Sequence, residues 1–285
     1  MNLDIRKGEL FALLGPNGSG KTTTIKMLCC LLKPTHGTAR VLGFDVNKES
    51  RAVKQVIGVS PQETTISERL NPLENLELIA RLRGVSSDKA REWSNKMVEI
   101  MGLESRSKDQ VRKLSGGMKR RLSIAMALIA DPAIVFLDEP TLGLDPQSRR
   151  ALWEYIAGLK GEKTILLTTH YMEEADFLSD QIAIMDSGKI KDLGTALDLK
   201  TRSLDKRTII IHAWNITIKA IDQIREKYPD VTINGSNISI TGSELDFKDV
   251  TDYIHGTGAI IRSAYFKEPS LEDAYLRITG RGLSA

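Results

Sequence analysis

The chain has 285 residues, of which 41% are hydrophobic, and a formal net charge of +3. A chain of this length can bury a large core and can form two domains. Because its basic and acidic residues nearly balance, the charge does not indicate nucleic acid as a partner. No apolar run reaches the roughly 18 residues needed to cross a bilayer, and the N-terminus lacks the layout of a signal peptide. We therefore expect a water-soluble protein of the cytosol.

The first motif is a glycine-rich segment between a predicted strand, Leu10 to Leu14, and a predicted helix, Thr23 to Leu32. In such a Walker A loop the backbone N–H groups point at phosphate oxygens, and the following helix adds the positive end of its dipole. The lysine would reach the β- and γ-phosphates and the threonine would bind Mg²⁺. The predicted phosphate-binding residues are Gly15, Pro16, Asn17, Gly18, Ser19, Gly20, Lys21, Thr22 and Thr23.

Two adjacent cysteines, Cys29 and Cys30, lie in the predicted helix after this loop. Their spacing suits neither a metal site nor a simple disulfide. We interpret both as buried thiols in a reducing compartment.

A helical region follows at about residues 63 to 113. Its apolar positions recur at helical spacing, first in Pro72 to Leu78 and then at Trp93, Met97, Ile100 and Met101. The pattern predicts a small helical subdomain with a core of its own.

A second anion site is indicated at Leu114-Ser115-Gly116-Gly117-Met118, which opens a helix rich in lysine and arginine. A serine hydroxyl, two glycines that permit close backbone approach and a helix N-terminus suit an anion. One monomer has no use for two phosphate sites facing different ways, so the pair favours a head-to-tail dimer.

The apolar run Ala133 to Glu139 ends in two carboxylates. Such a run suits a parallel strand covered on both faces, and ligands bind at the carboxyl ends of such strands. We predict that Asp138 holds Mg²⁺, directly or through water, and that Glu139 is the general base for the attacking water.

A phosphate loop and an acidic strand also occur in kinases, GTPases and helicases, but the Ser-Gly-Gly motif makes this chain resemble the ATP-binding cassette (ABC) family over roughly residues 1 to 200. The resemblance implies that Ser115, Gly116 and Gly117 contact the γ-phosphate of ATP held by the opposite subunit. It further implies that Gln62 contacts Mg²⁺ and the attacking water and joins the core to the helical subdomain. Asp145 would cross the dimer interface, and His170 would hydrogen-bond the γ-phosphate as the switch histidine.

The chain departs from the family pattern in two places. Met118 stands where the family usually has glutamine, a change also familiar in its drug-exporter branch. Family members normally carry a longer segment ahead of the phosphate loop, with an aromatic residue that stacks on adenine. The resemblance therefore implies a truncated chain or a misplaced start, a missing part of the sheet with an exposed edge, and no assignable adenine contact.

The composition becomes charged and polar at Lys200 to Arg207, as expected for a domain junction. Beyond it the pattern predicts a small ferredoxin-like α+β domain at residues 206 to 285. Its closing segment, Pro269 to Tyr275, resembles the tail of exporter ATPases of the family. We hypothesise a regulatory or dimer-stabilising role, against the alternative of a passive packing appendage. The predicted strands are 208–212, 231–233, 237–240 and 259–266, and the predicted helices are 218–227 and 247–255.

The expected fold class is α/β, with a P-loop ABC ATPase core and helical subdomain at residues 1 to 200 and the smaller α+β domain behind it. The resemblance implies an ATP- and Mg²⁺-dependent ATPase subunit that powers export at the cytoplasmic face of the membrane. Its partners would be a second copy, or a paralogous ATPase subunit, and an integral membrane permease. The alternatives are an importer subunit and a non-transport ABC ATPase that acts on DNA or ribosomes. The transported substrate is not encoded in this chain.

Overall fold

The computed structural model describes residues 1–63, 65–202 and 206–280. It divides into two compact units, Met1–Leu197 together with 278–280, and Asp198–Arg277. Thr64 of the predicted helical subdomain, residues 203–205 of the predicted junction and residues 281–285 of the predicted accessory domain lie outside the described residues. Within the described ranges, no helix is long and apolar enough to cross a bilayer.

The first unit is built around a six-stranded sheet in the order β4-β5-β6-β1-β7-β8. All neighbours are parallel except β7 and β8, which are antiparallel. Strands β1, β5 and β6 are almost entirely buried, as expected for parallel strands covered on both faces. The strands are β1 Leu10–Leu14, β4 Ile57–Ser60, β5 Ile134–Asp138, β6 Thr164–Thr169, β7 Gln181–Asp186 and β8 Lys189–Gly194, and a separate hairpin is formed by β2 Arg40–Val41 and β3 Phe44–Asp45.

Helices connect the parallel strands of this sheet, as crossover connections require. They are α1 Lys21–Leu28, α2 Ser50–Val56, α3 Pro72–Leu82, α4 Ser87–Ile100, α5 Gly116–Leu128, α6 Pro146–Ala157 and α7 Met172–Leu178. A further helix, α8 Ala196–Arg202, follows β8 and spans the boundary between the two units in the sequence.

The first helix ends earlier than the sequence predicts. The expected helix runs to Leu32, but α1 stops at Leu28 because Cys30 has a left-handed backbone, with φ of 56°. Cys29 is buried, whereas Cys30 is only partly buried, so the prediction of two buried thiols is wrong for the second. Leu31 and Leu32, beyond the helix, are 67% and 46% exposed.

The helical region lies between β4 and α5. Helix α3 begins at Pro72 behind a capping box, in which Asn71 and Glu74 exchange side-chain and backbone hydrogen bonds. Leu76, Ala80, Ala90 and Val98 of α3 and α4 are buried. Ile100, which the sequence pattern places in this core, is 44% exposed. At this end of α4 the residues that face the core are Val98 and Met101 instead.

The second unit contains a four-stranded antiparallel sheet in the order β10-β11-β9-β12. Its four strands and its first two helices begin and end within two residues of the sequence prediction, whereas the helix at Leu271–Thr279 is not among the predicted elements. Its core consists mainly of isoleucines, among them Ile209, Ile211, Ile238 and Ile240. The elements are β9 Arg207–Trp214, α9 Ile218–Lys227, β10 Val231–Asn234, β11 Asn237–Gly242, α10 Phe247–Gly256 and β12 Ile260–Phe266, followed by α11 Leu271–Thr279.

Candidate functional site

The glycine-rich loop joins the buried end of β1 to the start of α1. Gly15 lies so close to β7 that an added Cβ would be 2.3 Å from the carbonyl oxygen of Met185. Gly18 and Gly20 have φ values of 80° and 101°, which other residues rarely adopt. The loop therefore needs glycine at these three positions for different reasons, one steric and two conformational.

Lys21, the first residue of α1, is buried, with 4% of its surface exposed. Its ammonium group donates to the carbonyl oxygens of Gly15 (2.7 Å) and Pro16 (3.0 Å). It also lies 3.8 Å from a carboxylate oxygen of Glu139. Burial lowers the pKa of Lys21, while the negative charges of Glu139 and Asp138 act in the opposite direction. The loop thus holds a buried cation against its own backbone and an acidic strand end.

Asp138, at the carboxyl end of β5, is 2% exposed. The Thr22 hydroxyl donates to its Oδ1 over 3.1 Å, and the hydroxyl of Thr168 on β6 donates to the same oxygen. The phosphate loop and the acidic strand end are therefore joined through oxygen atoms, the donor type that Mg²⁺ prefers.

Glu139, the next residue, is 5% exposed and has a left-handed backbone with φ of 49°. Its N–H donates to the carbonyl and the hydroxyl of Thr168, at 3.1 and 3.0 Å. His170, just beyond the end of β6, has its Nδ1 3.2 Å from Glu139 Oε2. The carboxylate thus lies between the ammonium group of Lys21 and the imidazole of His170.

A cavity of about 250 Å³ opens at this edge of the sheet. Its walls contain the phosphate loop together with Gln62 and Glu139, which come from the ends of two other strands. Asp138 and His170 are not among the lining residues, but each contacts one of them: Asp138 contacts Thr22, and His170 contacts Glu139. The lining residues are Asn17, Gly18, Ser19, Gly20, Lys21, Thr22, Thr23, Gln62 and Glu139.

The predicted second anion site is not part of this cavity. Ser115 caps the N-terminus of α5, where its hydroxyl accepts from the N–H of Met118 at 3.3 Å. Ser115 and Gly116 are exposed, and Gly117 is partly exposed. Asp145 is exposed as well and caps α6 by accepting from the N–H of Ser148 at 3.0 Å. Hydrogen bonds from the side chain and then the backbone of Ser148 lower the pKa of Asp145. These residues are therefore open to a second molecule.

Sequence reasoning missed two residues that support the site. Thr168 holds both acidic residues, and its place beside Asp138 follows from the parallel register of β5 and β6. Glu174 of α7 is fully buried, and its Oε1 accepts from the Thr141 hydroxyl (2.8 Å) and the Trp153 indole (3.0 Å). Burial raises the pKa of Glu174, against the opposing effect of these donors. The parallel pairing of β5 with β6 is a signal that could have identified Thr168 from the sequence, whereas no motif marks Glu174.

The sheet order, the phosphate loop and the acidic strand end together define a P-loop nucleotide-binding ATPase. A family model described as "ABC transporter" matches residues 1–142. Among curated proteins, the chain is 35% identical to the linearmycin resistance ATP-binding protein LnrL of Bacillus subtilis, covering 99% of this chain and 93% of that one. It is 34% identical to the daunorubicin resistance ATP-binding protein DrrA3 of Streptomyces coeruleorubidus, covering 98% and 90%. The chain belongs to the ABC transporter ATP-binding family.

Other relatives are much longer proteins. The chain is 38% identical to the human phospholipid-transporting ATPase ABCA3 over 87% of its own length, but it spans only 14% of that protein. Among solved structures, the dimeric cassette MJ0796 bound to ADP and Pi superposes with a TM-score of 0.64 and 28% identity, covering 68% of this chain and 88% of that one. The relatives of similar length include ATP-binding proteins of resistance systems and one named for Nod factor export.

Proposed function

We propose that this protein binds and hydrolyses ATP to power the export of a small molecule through a separate membrane subunit. The observation that carries the proposal is the cavity in which the phosphate loop meets Gln62 and Glu139. The near full-length similarity to resistance ATP-binding proteins supports export as the direction of transport.

The residues at the cavity suit a triphosphate with a hard cation. Within the described ranges there is no cluster of three or more His, Cys, Asp or Glu that could hold a metal by itself. Mg²⁺ needs no such cluster, because one or two protein carboxylates, together with phosphate oxygens and other oxygen donors, are enough to bind it. Thr22, Asp138 and Gln62 would hold it, and when bound it would neutralise charge on the phosphates.

Hydrolysis would use the two residues that face each other at the ends of β5 and β6. Glu139 would accept a proton from the attacking water, and His170 would hydrogen-bond the γ-phosphate. Lys21 would leave the carbonyls of Gly15 and Pro16 for the β- and γ-phosphates when nucleotide binds. The Glu139 carboxylate is already within 4 Å of both the Lys21 ammonium group and the His170 imidazole.

A second subunit would complete the site. Ser115, Gly116 and Gly117 lie outside the cavity and are accessible, so they could contact ATP held by another copy or by a paralogous subunit. Asp145 would lie near the interface between the two. The dimeric state named for MJ0796 supports this arrangement.

The membrane subunit would dock on the first unit, at the cytoplasmic face of the membrane. A groove of about 930 Å³ lies between α2, the C-terminal end of α3 and the middle of α4. Its lining includes Leu82, which is 74% exposed, and Trp93, with Arg51, Lys54 and Arg83 around them. An apolar floor with basic neighbours suits a short amphipathic helix of the permease.

The test is the solution mass of Glu139→Gln with and without Mg-ATP, measured by light scattering, alongside ATPase assays of the wild type. We expect ATP-dependent doubling of the mass and turnover reduced at least about a hundredfold. Near-normal turnover of the variant would reject Glu139 as the base. A monomeric mass at saturating ATP would contradict the ATP-dependent dimer.

A further inference from the structure

Arg120 is a buried arginine near the start of α5, with 4% of its surface exposed. Buried arginines are rare unless their donors are satisfied, because removing the charge from water is costly. Burial lowers the pKa of this guanidinium, and the nearby carboxylates of Asp138, Glu174 and Glu139 oppose that effect. A place on an ordinary solvated helix face therefore does not account for this residue.

The guanidinium of Arg120 donates to four backbone carbonyls in two loops. Nη1 donates to Pro61 (2.6 Å) and to Gln62 (3.2 Å), which follow β4. Nε donates to Pro140 (2.9 Å) and Nη2 donates to Asp138, which flank Glu139 on either side. One side chain thus holds the backbone of Gln62 and of both neighbours of Glu139, and Gln62 and Glu139 line the phosphate cavity.

The helix that carries Arg120 is itself held firmly on β4. Three residues further along α5, the Ser123 hydroxyl lies 3.0 Å from the Ser60 hydroxyl. At the far end, an added Cβ on Gly58 would be 2.0 Å from the carbonyl oxygen of Ala127. Positions 120, 123 and 127 lie on one helix face, so this face meets β4 along its whole length.

The first turn of the same helix carries the exposed serine and glycines that open toward a second molecule. Ser115 is its N-cap, only five positions before Arg120. Displacing this end of α5 would therefore pull on Gln62 and on the two residues beside Glu139 at once. The phosphate loop has no such link to α5, because none of its residues receives a hydrogen bond from Arg120 among the described contacts.

We propose that Arg120 is a positioning residue that couples the Ser115–Gly117 end of α5 to the placement of Gln62 and Glu139. It makes no contact with the nucleotide in this role and acts through the backbone of the two loops. Because its donors reach only residues outside the phosphate loop, its loss affects hydrolysis more than ATP binding. The coupling rests on the proposed ATPase function.

The test compares Arg120→Lys with Arg121→Lys in the purified chain. Lysine keeps the charge but cannot reproduce the planar fork that reaches four carbonyls. Arg121 is a matched control, because it is the next residue of α5 and donates to the backbone carbonyls of Met101 and Gly102, away from the cavity. The measurements are kcat, KM, the dissociation constant for ATP by equilibrium binding, and the thermal midpoint.

We expect Arg120→Lys to lower kcat by about tenfold to a hundredfold, since misplacing a catalytic group by about 1 Å has effects of this order. The ATP dissociation constant should change less than about threefold, and Arg121→Lys should change kcat less than about threefold. Arg120→Gln, which is neutral and retains one amide donor, gives the same comparison if Arg120→Lys is poorly folded.

Three outcomes separate the possibilities. A wild-type chain without ATPase activity would refute the proposed function itself. An active wild type with unchanged kcat in Arg120→Lys, or with equal losses in the Arg121 control, would overturn the coupling alone. Failure of both Arg120 variants to fold beside a folded Arg121→Lys would overturn it too, and would assign Arg120 to fold stability.

Discussion

The hydroxyl of Thr168 donates to the carboxylate of Asp138, across the boundary between two parallel strands. The same hydroxyl accepts from the N–H of Glu139 at 3.0 Å. One small polar group on β6 therefore fixes both acidic residues at the end of β5. It does so from inside the sheet, where Thr168 is fully buried.

Replacing this hydroxyl with a methyl group should impair hydrolysis more than stability. In Thr168→Val, Asp138 loses a donor and the N–H of Glu139 loses an acceptor, so we expect kcat to fall about tenfold or more. The matched control is Thr164→Val on the same strand, whose hydroxyl accepts from the N–H of Gly8 at 2.9 Å, away from the site. Steady-state ATPase assays decide the matter, and equal losses in the two variants would count against a role for Thr168 at the site.

Glu174 should make stability depend on pH. Its pKa is raised in the folded state by burial, so folding favours the protonated carboxyl. That stabilisation is present below the ordinary glutamate pKa of about 4.3 and is lost as the pH rises through the folded-state value. Glu174→Gln cannot ionise, so its unfolding free energy should rise relative to wild type between pH 4 and the neutral range.

Urea unfolding at several pH values measures this difference. Glu173→Gln is the control, because Glu173 precedes Glu174 on the same helix and is exposed. Parallel curves for wild type and Glu174→Gln over the whole range would show that the buried carboxyl does not govern the pH dependence.

The two adjacent cysteines should react at very different rates with a thiol reagent. Cys29 is buried and its pKa is raised to about 12, so at pH 8 only about one molecule in ten thousand carries the reactive thiolate. Cys30 is partly exposed. We expect one fast thiol in the native protein, lost in Cys30→Ser and retained in Cys29→Ser. Two equally fast thiols, followed spectrophotometrically, would be inconsistent with the packing of α1.

Gly58 should tolerate no side chain. An added Cβ would be 2.0 Å from the carbonyl oxygen of Ala127 and 2.9 Å from Pro132, and the carbonyl cannot move without shifting α5. We expect Gly58→Ala to lower the unfolding free energy by about 2 kcal/mol or more. Gly116→Ala, at the other end of α5 with open space around its Cβ, should stay within about 1 kcal/mol of wild type in the same denaturant titration.

The sequence predicts the parts of this molecule that depend on local pattern. The apolar run before Gly15 and the one before Asp138 are both buried strands, because such runs are stable only inside a covered parallel sheet. Since parallel strands end at one edge, Gln62 and Glu139 meet the phosphate loop in one cavity. The run of three isoleucines in β9 likewise predicts a strand, and burial alternates along it.

Features that depend on packing between distant segments are not predictable in this way. The end of α1 at Leu28 has no glycine to mark it, because the left-handed residue that follows the C-cap Cys29 is Cys30. In the sequence Arg120 is the middle one of three consecutive basic residues, yet it is buried among four carbonyls, two of them nearly sixty positions away in the chain. No local rule distinguishes it from Arg121.

The left-handed backbone of Glu139 limits how the thermal stability of this protein can be raised without loss of activity. For most residues with a side chain, that conformation costs on the order of 1 kcal/mol or more, and glycine avoids this cost, while asparagine and aspartate avoid part of it. Selection for heat resistance alone would favour these residues at position 139. Glycine and asparagine would remove the carboxylate, and aspartate would shorten the side chain that carries it. Selection for turnover would keep the glutamate and its less favourable backbone. Screens that reward only thermal survival should therefore enrich, among other variants, inactive chains altered at position 139.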